Sequence, residues 1–420
     1  MNLPEADDPT ESTLALRSFY AAGIAWQTCV QGYWLLFFVR VAIDLDFSPL
    51  QLVMLGTAKE VAVLTMEIPT GIVADFYSRK WSVVIAFFVA GLAIVASGTF
   101  DSFGLLLAAS ALWGVGLTFR SGAEIAWFTS EIGSTKIVEH IVMKRSSVEM
   151  AAIVTGVIGA TLLSVLTSNG TALAAFGIVL MIAGGVLAAA MPETAFQRIV
   201  GSKRLALGSI VNDGLRAARR VPPLRTLIVA TVLAGFASEA IDRLYVRRFD
   251  DIGLTDRFDN EVILLAIVVI GQALIALVAL RWARRTIAVR SHPEVLARTL
   301  AALLATTAIG AAMLALVDAL AVAALGLVAA GAMRASTEPV KAAWANEYAP
   351  PASRATVQSF VGQAQSLGEI GGGVALGIVA TIIGVPAALT VSATTYLAAA
   401  AVIAQFRRRN DDAKSCSAAL

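Results

Sequence analysis

The sequence predicts an all-α integral membrane protein of about twelve transmembrane helices in two pseudo-symmetric six-helix bundles. Three observations carry that expectation. Hydrophobic residues make up 58% of the 420, charged residues only 15%, and mean hydropathy is +0.77, against about 25% charged in ordinary soluble domains. Apolar runs of about 20 residues, the length needed to cross a bilayer, recur along the whole chain. Motifs in the first half return in the second half in the same order.

The first half reads as helices over 18–44, 49–76, 81–100, 103–130, 144–168 and 171–191. The second half reads as helices over 225–247, 260–281, 295–317, 319–348, 354–382 and 385–407. Turn residues separate them at Ser48-Pro49, Asp101-Ser102, Asn169-Gly170, Pro350-Pro351 and Gly384-Val385-Pro386. The organisation that follows is a tail over 1–17, a six-helix bundle over 18–191, a linker over 192–224, a second bundle over 225–407 and a tail over 408–420. In the linker, Leu207, Ile210, Val211 and Leu215 share one helical face among basic residues. That pattern suits either a helix on the membrane surface or a solvated connection.

Basic residues alternate between loops. Arg79, Lys80, Lys136, Lys144, Arg145, the 198–225 stretch, Arg281 to Arg298 and Arg407 to Arg409 fall on one side. The alternate loops are almost free of Lys and Arg, apart from Arg248 and Arg257. The positive-inside rule then puts both termini in the cytoplasm. The N-terminus carries Glu5, Asp7, Asp8 and Glu11 where a signal peptide is basic, so none is expected.

The repeat is explicit. Arg120-Ser-Gly-Ala-Glu124 returns as Arg334-Ala-Ser-Thr-Glu338, Arg145-Ser-Ser-Val-Glu149 as Arg354-Ala-Thr-Val-Gln358, and Phe38-Val-Arg40 as Tyr245-Val-Arg247, at offsets of 214, 209 and 207 residues.

The net charge of +2, with basic residues dispersed, gives no support to a nucleic-acid partner. Cys29 and Cys416 imply no disulfide framework. With no Cys/His cluster, neither a metal nor a cofactor is expected. No Walker A sequence occurs, which excludes ATP hydrolysis by this chain, and no nucleophile or cofactor constellation supports an enzyme.

Ionisable residues inside the apolar helices are costly, at roughly 2.5–3.5 kcal/mol each on insertion scales, and mark function. Glu60 and Glu369 lie centrally, at about 17 and about 22 Å along the second and eleventh helices at the α-helical rise. Arg120/Glu124, Arg334/Glu338 and Glu239/Arg243 are spaced to meet on one helix face, with Asp242 beside the last pair. Glu338 is the first candidate for a protonatable coupling residue, because Pro339 loosens its helix. Glu239, Glu124, Glu60 and Glu369 follow, with Arg120, Arg334, Asp242 and Arg243 as charge partners. Simple neutralising ion pairs are the alternative for any one pair. Gln27, Gln31, Trp26 and Tyr33 can line a cavity or pack, and Arg40, Asp44 and Asp46 read as snorkelling ends.

Gly71-Ile-Val-Ala-Asp75-Phe-Tyr-Ser-Arg79-Lys80 resembles the signature loop between helices 2 and 3 of the major facilitator superfamily of secondary transporters. Gly71, Asp75, Arg79 and Lys80 match it, while Phe76 and Ser78 depart from it. Arg120 and Met191-Pro-Glu-Thr194 also look like family features, and Glu67-Ile-Pro-Thr-Gly71 resembles the drug:proton antiporter branches. The resemblance implies that helices 1, 4, 7 and 10 line a cavity. It also implies that Asp75 caps helix 11 and that Arg79 pairs with Glu131. Glu67, seven residues from Glu60 on a shared face, reads as part of the gating network, with a substrate contact as the alternative. The resemblance implies a proton-coupled exporter of a small amphipathic compound in the cell's inner membrane, with substrate, protons and lipid as partners and a monomeric state. Helix 5 departs from the antiporter pattern: Gly156-Val-Ile-Gly159 lacks the proline. A proton symporter importing a metabolite, and a non-transporting receptor or permease subunit, are the alternatives.

Overall fold

The computed structural model describes residues 9–196, 220–289, 293–349 and 354–418. These are helical, with no strand among them. In chain order the helices are α1 (Pro9–Val39), α2 (Pro49–Phe76), α3 (Arg79–Thr99), α4 (Phe103–Arg120), α5 (Ala123–Ile132), α6 (Thr135–Leu166) and α7 (Asn169–Ala190). Then come α8 (Pro222–Asp251), α9 (Glu261–Val289), α10 (Pro293–Leu316), α11 (Leu320–Ala335), α12 (Thr337–Tyr348), α13 (Arg354–Ile382) and α14 (Val385–Ala418). A short π-helix, Arg40–Asp44, extends α1.

Among the described residues, ten spans are long and apolar enough to cross a membrane, with α4–α5 and α11–α12 each counting as one. Helices α1 and α2 fall outside that set, although their 31 and 28 residues suffice in length. Lys59, Glu60 and Glu67 interrupt α2. Large apolar side chains such as Leu166, Ile182, Val278 and Ile382 are exposed on the protein, as lipid-facing residues are. The chain is a multi-pass membrane protein.

The expected fourth and tenth helices are each broken. Gly122, at φ +75°, a conformation that suits glycine, separates α4 from α5. Ser336 separates α11 from α12. The expected fifth helix begins nine residues earlier than its apolar run, at Thr135. The 197–219 stretch, with its expected surface helix, lies outside the described residues.

Two compact units form. One comprises Met1–Asp46, Ala58–Gly201 and Asn260–Ala266; the other comprises Phe47–Thr57, Ser202–Asp259 and Ile267–Leu420. The boundaries thus differ from a simple cut at the linker. In the first unit the main packed pairs are α3 on α7, α1 on α6 and α7, and α3 on α4. In the second they are α10 on α14, α8 on α13 and α14, and α10 on α11. Those are the same pairs one repeat later. Glycine lets the backbones close, since apolar burial alone does not drive helices together in lipid. A Cβ on Gly156 of α6 would lie 2.2 Å from the Thr28 carbonyl oxygen of α1, and one on Gly368 of α13 would lie 2.2 Å from the Val232 carbonyl oxygen of α8.

A buried arginine recurs in both units. Arg40 donates to the Ser97 and Phe100 carbonyls at 3.2 and 3.3 Å and to Asp101 at 2.5 Å. Arg248 donates to the Leu314 and Val317 carbonyls at 3.0 and 3.3 Å and to Asp318 at 2.7 Å. Each satisfies carbonyls at a helix C-terminus, which the helix itself leaves unpaired. Arg40 therefore does not snorkel. Its structural counterpart is Arg248, and not the Arg247 that the sequence repeat paired with it. Arg247 instead pairs with Asp250 and Asp251 at 4.0 and 3.7 Å.

The carboxylates of these caps, Asp101 and Asp318, are 73% and 85% exposed, where an ion pair contributes only about 0–1 kcal/mol. The carbonyl bonds are the buried part. Arg40→Met and Arg248→Met are expected to cost about 1–3 kcal/mol each, the penalty of orphaned buried groups. Asp101→Asn and Asp318→Asn are expected to cost little. Melting temperatures of the four variants in detergent check this. Equal losses for arginine and aspartate variants would contradict it.

Candidate functional site

The first unit gathers a buried cluster around the break at Gly122. Arg120 occupies the last turn of α4 and Glu124 the first turn of α5. Cations are favoured at helix C-termini and anions at N-termini, so the break suits both. Arg120 Nη2 meets Glu124 Oε2 at 2.7 Å, as the spacing led us to expect. Arg145 of α6 meets the other oxygen, Oε1, at 2.8 Å, and its Nε donates to Glu149 at 2.9 Å. Glu124 and Arg145 are 5% and 4% exposed. Aromatic faces support both guanidiniums: Arg145 lies 3.9 Å from the Phe19 ring centroid and Arg120 lies 4.6 Å from that of Trp26. The cluster borders a cavity of about 480 Å³, walled also by Gln27, Leu117, Ile125 and Val142.

The sequence placed Arg145 at a helix mouth among loop cations. Because α6 starts at Thr135, Arg145 lies well inside the helix. Its repeat counterpart Arg354 opens α13 and is exposed, so the two share a motif and not an environment. Of the helix-1 polar and aromatic residues, Gln27 lines the cavity. Trp26 and Tyr33 pack against Trp113, at 5.7 and 5.0 Å between ring centroids.

The second unit breaks the symmetry. Arg334 ends α11, as Arg120 ends α4, but pairs with Asp242 of α8 at 2.6 Å and faces the Tyr396 hydroxyl. The expected Arg334–Glu338 pair does not form. Asp242 on a packed neighbouring helix takes the guanidinium, and Lys341, three residues on, takes Glu338 at 2.5 Å. The Glu338 side chain is 62% exposed. The Glu239–Arg243 pair does form, at 3.4 Å, with Glu239 only 1% exposed. Gly56 makes room for this guanidinium: a Cβ there would lie 2.2 Å from Arg243 Nε. Lys341 also donates to Gln365 at 2.7 Å, and Gln365 donates to Glu369 at 3.0 Å. Lys341, Gln365 and Tyr396 were missed by the sequence reading; the depth estimate applied to Glu369 would have flagged Gln365 one turn away.

Glu60 is buried and ion-paired with its neighbour Lys59. Glu67 is exposed. In the 71–80 loop, Arg79 pairs with Asp75 at 3.4 Å and donates to the Ala126 carbonyl at 3.2 Å and Ser130 Oγ at 2.6 Å. The expected partner Glu131 instead accepts from Thr194 Oγ1 at 3.0 Å and the Ala195 amide at 3.1 Å. The Arg79–Glu131 expectation is thus corrected, since Glu131 serves the turn after α7. Ser78, where the family pattern has glycine, caps α3 by accepting from the Trp81 amide at 2.9 Å. Glu193, the middle residue of Pro192-Glu-Thr194, accepts from Ser78 Oγ at 2.5 Å and the Lys80 amide at 2.9 Å. Lys80 flanks the Trp81 ring. Gly71 has open space around its Cβ position.

The Arg145 guanidinium pairs with two carboxylates, Glu124 and Glu149. Removing one partner of a buried pair costs about 3–5 kcal/mol, because the remaining charge is stranded. Arg145→Met is therefore expected to lower the melting temperature strongly, and adding Glu124→Gln is expected to recover part of the loss. Calorimetry or fluorescence melting of the single and double variants measures the coupling. Strict additivity would show that the two residues do not interact.

No protein-family model matches the chain. A stretch of 123 residues is 27% identical to the uncharacterized MFS-type transporter YxaM of Bacillus subtilis (strain 168), covering 29% of this chain and 30% of that protein. Among solved structures, the nucleoside transporter NupG aligns with a TM-score of 0.68 at 14% identity, over 94% of this chain and 98% of that one. A POT family transporter in complex with 5-aminolevulinic acid aligns with a TM-score of 0.70 at 12% identity, over 97% and 98%. A bacterial homolog of the human lysosomal transporter Spinster, inward-facing and unoccupied, aligns at 0.66 and 14%, over 95% and 96%. The chain has the fold of these transporters.

Proposed function

We propose that the chain is a proton-coupled secondary transporter that moves a small organic molecule by alternating access. The observation that carries this reading is the Arg120–Glu124–Arg145–Glu149 cluster, buried beside a cavity in membrane-crossing helices. Buried charge is retained inside a membrane where it serves transport or proton relay. The shared fold supports the reading, as does the Asp75–Arg79 loop, which we assign to gating.

Direction depends on whether substrate and proton bind together or exclude one another. The resemblance of Glu67-Ile-Pro-Thr-Gly71 to drug:proton antiporters implies exclusion, hence export of an amphipathic compound. One observation favours the other order. Glu124 pairs with two arginines at once, so a proton on Glu124 removes the negative charge that both face and leaves room for a substrate's. That favours symport. A growth screen of expressing cells across toxic compounds separates the two: export raises tolerance, and import raises sensitivity.

The coupling residue must exchange a proton as its surroundings change between desolvation and ion pairing. Glu124 and Glu239 are buried beside arginines, whereas Glu338 is largely exposed beside Lys341. In liposomes, Glu124→Gln or Glu239→Gln is expected to abolish accumulation driven by a pH gradient while leaving exchange in place. Glu338→Gln is expected to leave accumulation largely intact. Full coupling in both of the first two variants would remove this assignment. Asp75→Asn is expected to cripple both accumulation and exchange without reducing the inserted amount; normal flux would exclude a gating role.

A further inference from the structure

We propose that Arg120 and Arg145 form a carboxylate-binding site that the side chain of Glu124 fills in the resting protein, and that the substrate is a small organic anion bound together with one proton. This rests on the transporter reading above and adds the substrate's chemical class.

The geometry is that of a ligand clamp. Each oxygen of the Glu124 carboxylate faces a different guanidinium, at 2.7 and 2.8 Å; the Arg145 contact to Oε1 is one of charge without a hydrogen bond, so a ligand carboxylate free to turn can gain the hydrogen bond that Glu124 leaves unmade. Both guanidiniums have supports that do not involve Glu124. Arg145 lies on the Phe19 ring and is held by Glu149, and Arg120 lies on the Trp26 ring. The cations therefore keep their places when Glu124 leaves. They border a cavity of about 480 Å³, within the range of about 300–1,000 Å³ typical of small-molecule sites. Its walls offer Phe19, Leu117, Ile125 and Val142 to an apolar body and Gln27, Ser121 and Ser146 to polar substituents.

Charge balance sets the coupling. The groups facing Glu124 are Arg120 from α4 and Arg145 with Glu149 from α6; α1 contributes the uncharged Phe19 and Gln27. Two guanidiniums and two carboxylates sum to zero. An entering anion brings a third carboxylate, and two carboxylates sharing one site cannot both stay ionised cheaply. Glu124 therefore takes a proton as the ligand's carboxylate replaces its own. The proton comes from solution, no covalent bond is made or broken, and the cluster stays neutral. A cationic ligand would meet two guanidiniums and is disfavoured.

The test uses the purified full chain in detergent. Trp26, against Arg120, serves as a fluorescence reporter. Benzoate, nicotinate and phenylacetate are titrated beside benzamide, nicotinamide and phenylacetamide. At least one carboxylate is expected to bind saturably while its amide does not. Affinity is expected to fall about tenfold per pH unit wherever Glu124 is charged in the free protein, because one proton accompanies each ligand. Glu124→Gln is expected to keep carboxylate binding and lose its pH dependence. Arg145→Lys, which cannot reproduce the fork, is expected to weaken carboxylate binding at least about tenfold; it carries the test should Glu124→Gln fail to fold. Amides matching their carboxylates, affinity rising with pH, or no saturable binding by any carboxylate overturns the proposal. Counterflow in liposomes separates the two readings. A bound carboxylate that does not cross overturns transport and leaves the site standing, whereas an amine or neutral compound that crosses overturns the site and leaves transport standing.

Discussion

Every buried arginine among the described residues must be given partners, and that constraint organises the rest of the structure. A guanidinium cannot shed its charge in a protein, so inside a bilayer its position is decided by which carboxylates and carbonyls reach it. Arg40 and Arg248 solve the problem with helix-end carbonyls. Arg120 and Arg145 solve it with Glu124 and Glu149. Arg243 takes Glu239, and Arg334 takes Asp242. The first solution uses immobile backbone and fixes helices to one another. The others use titratable side chains, which can be released. The same residue type thus supplies carbonyl caps in one place and a carboxylate-paired cluster in another, and the partner decides which.

The two units show how a duplicated frame takes on unequal chemistry. The packed pairs repeat, the buried caps at Arg40 and Arg248 repeat, and a helix break follows both Arg120 and Arg334. What differs is the competition at each break. In the first unit no residue equivalent to Asp242 pairs with Arg120, and Glu124 closes across the break. In the second, Asp242 captures the arginine, and the acid that follows the break is largely exposed and paired with the buried Lys341. A frame held by close glycine contacts tolerates this divergence. The close backbone approach at Gly156 and Gly368 recurs in both units, while the charged residues at the breaks differ.

The helices were legible because each had to present an apolar run of fixed length, and the second and eleventh expected helices coincide with α2 and α13. The breaks were less legible, though Gly122 after Ser121 was visible as a turn residue inside an apolar run. The pairings were legible only where they stayed within one helix or across one turn. Arg120–Glu124 and Glu239–Arg243 follow from spacing. Arg145–Glu124 and Arg334–Asp242 join residues 21 and 92 positions apart, and spacing does not reach that far. The error at Glu338 came from assuming that a good local partner wins. Asp242 shows that a carboxylate on a packed neighbouring helix can displace it.

Arg145 shows how a cation grouped with the loops by its charge can lie inside a helix. Arg145 and Lys144 read as loop cations because the apolar run starts after them, yet α6 runs back to Thr135. A helix longer than its hydrophobic stretch carries cations inward along its polar end, where an aromatic platform and two carboxylates await Arg145. Burial among partners distinguishes Arg145 from the loop cations that the sequence grouped it with, and neither the Phe19 ring nor Glu124, 21 positions away, could be read from spacing.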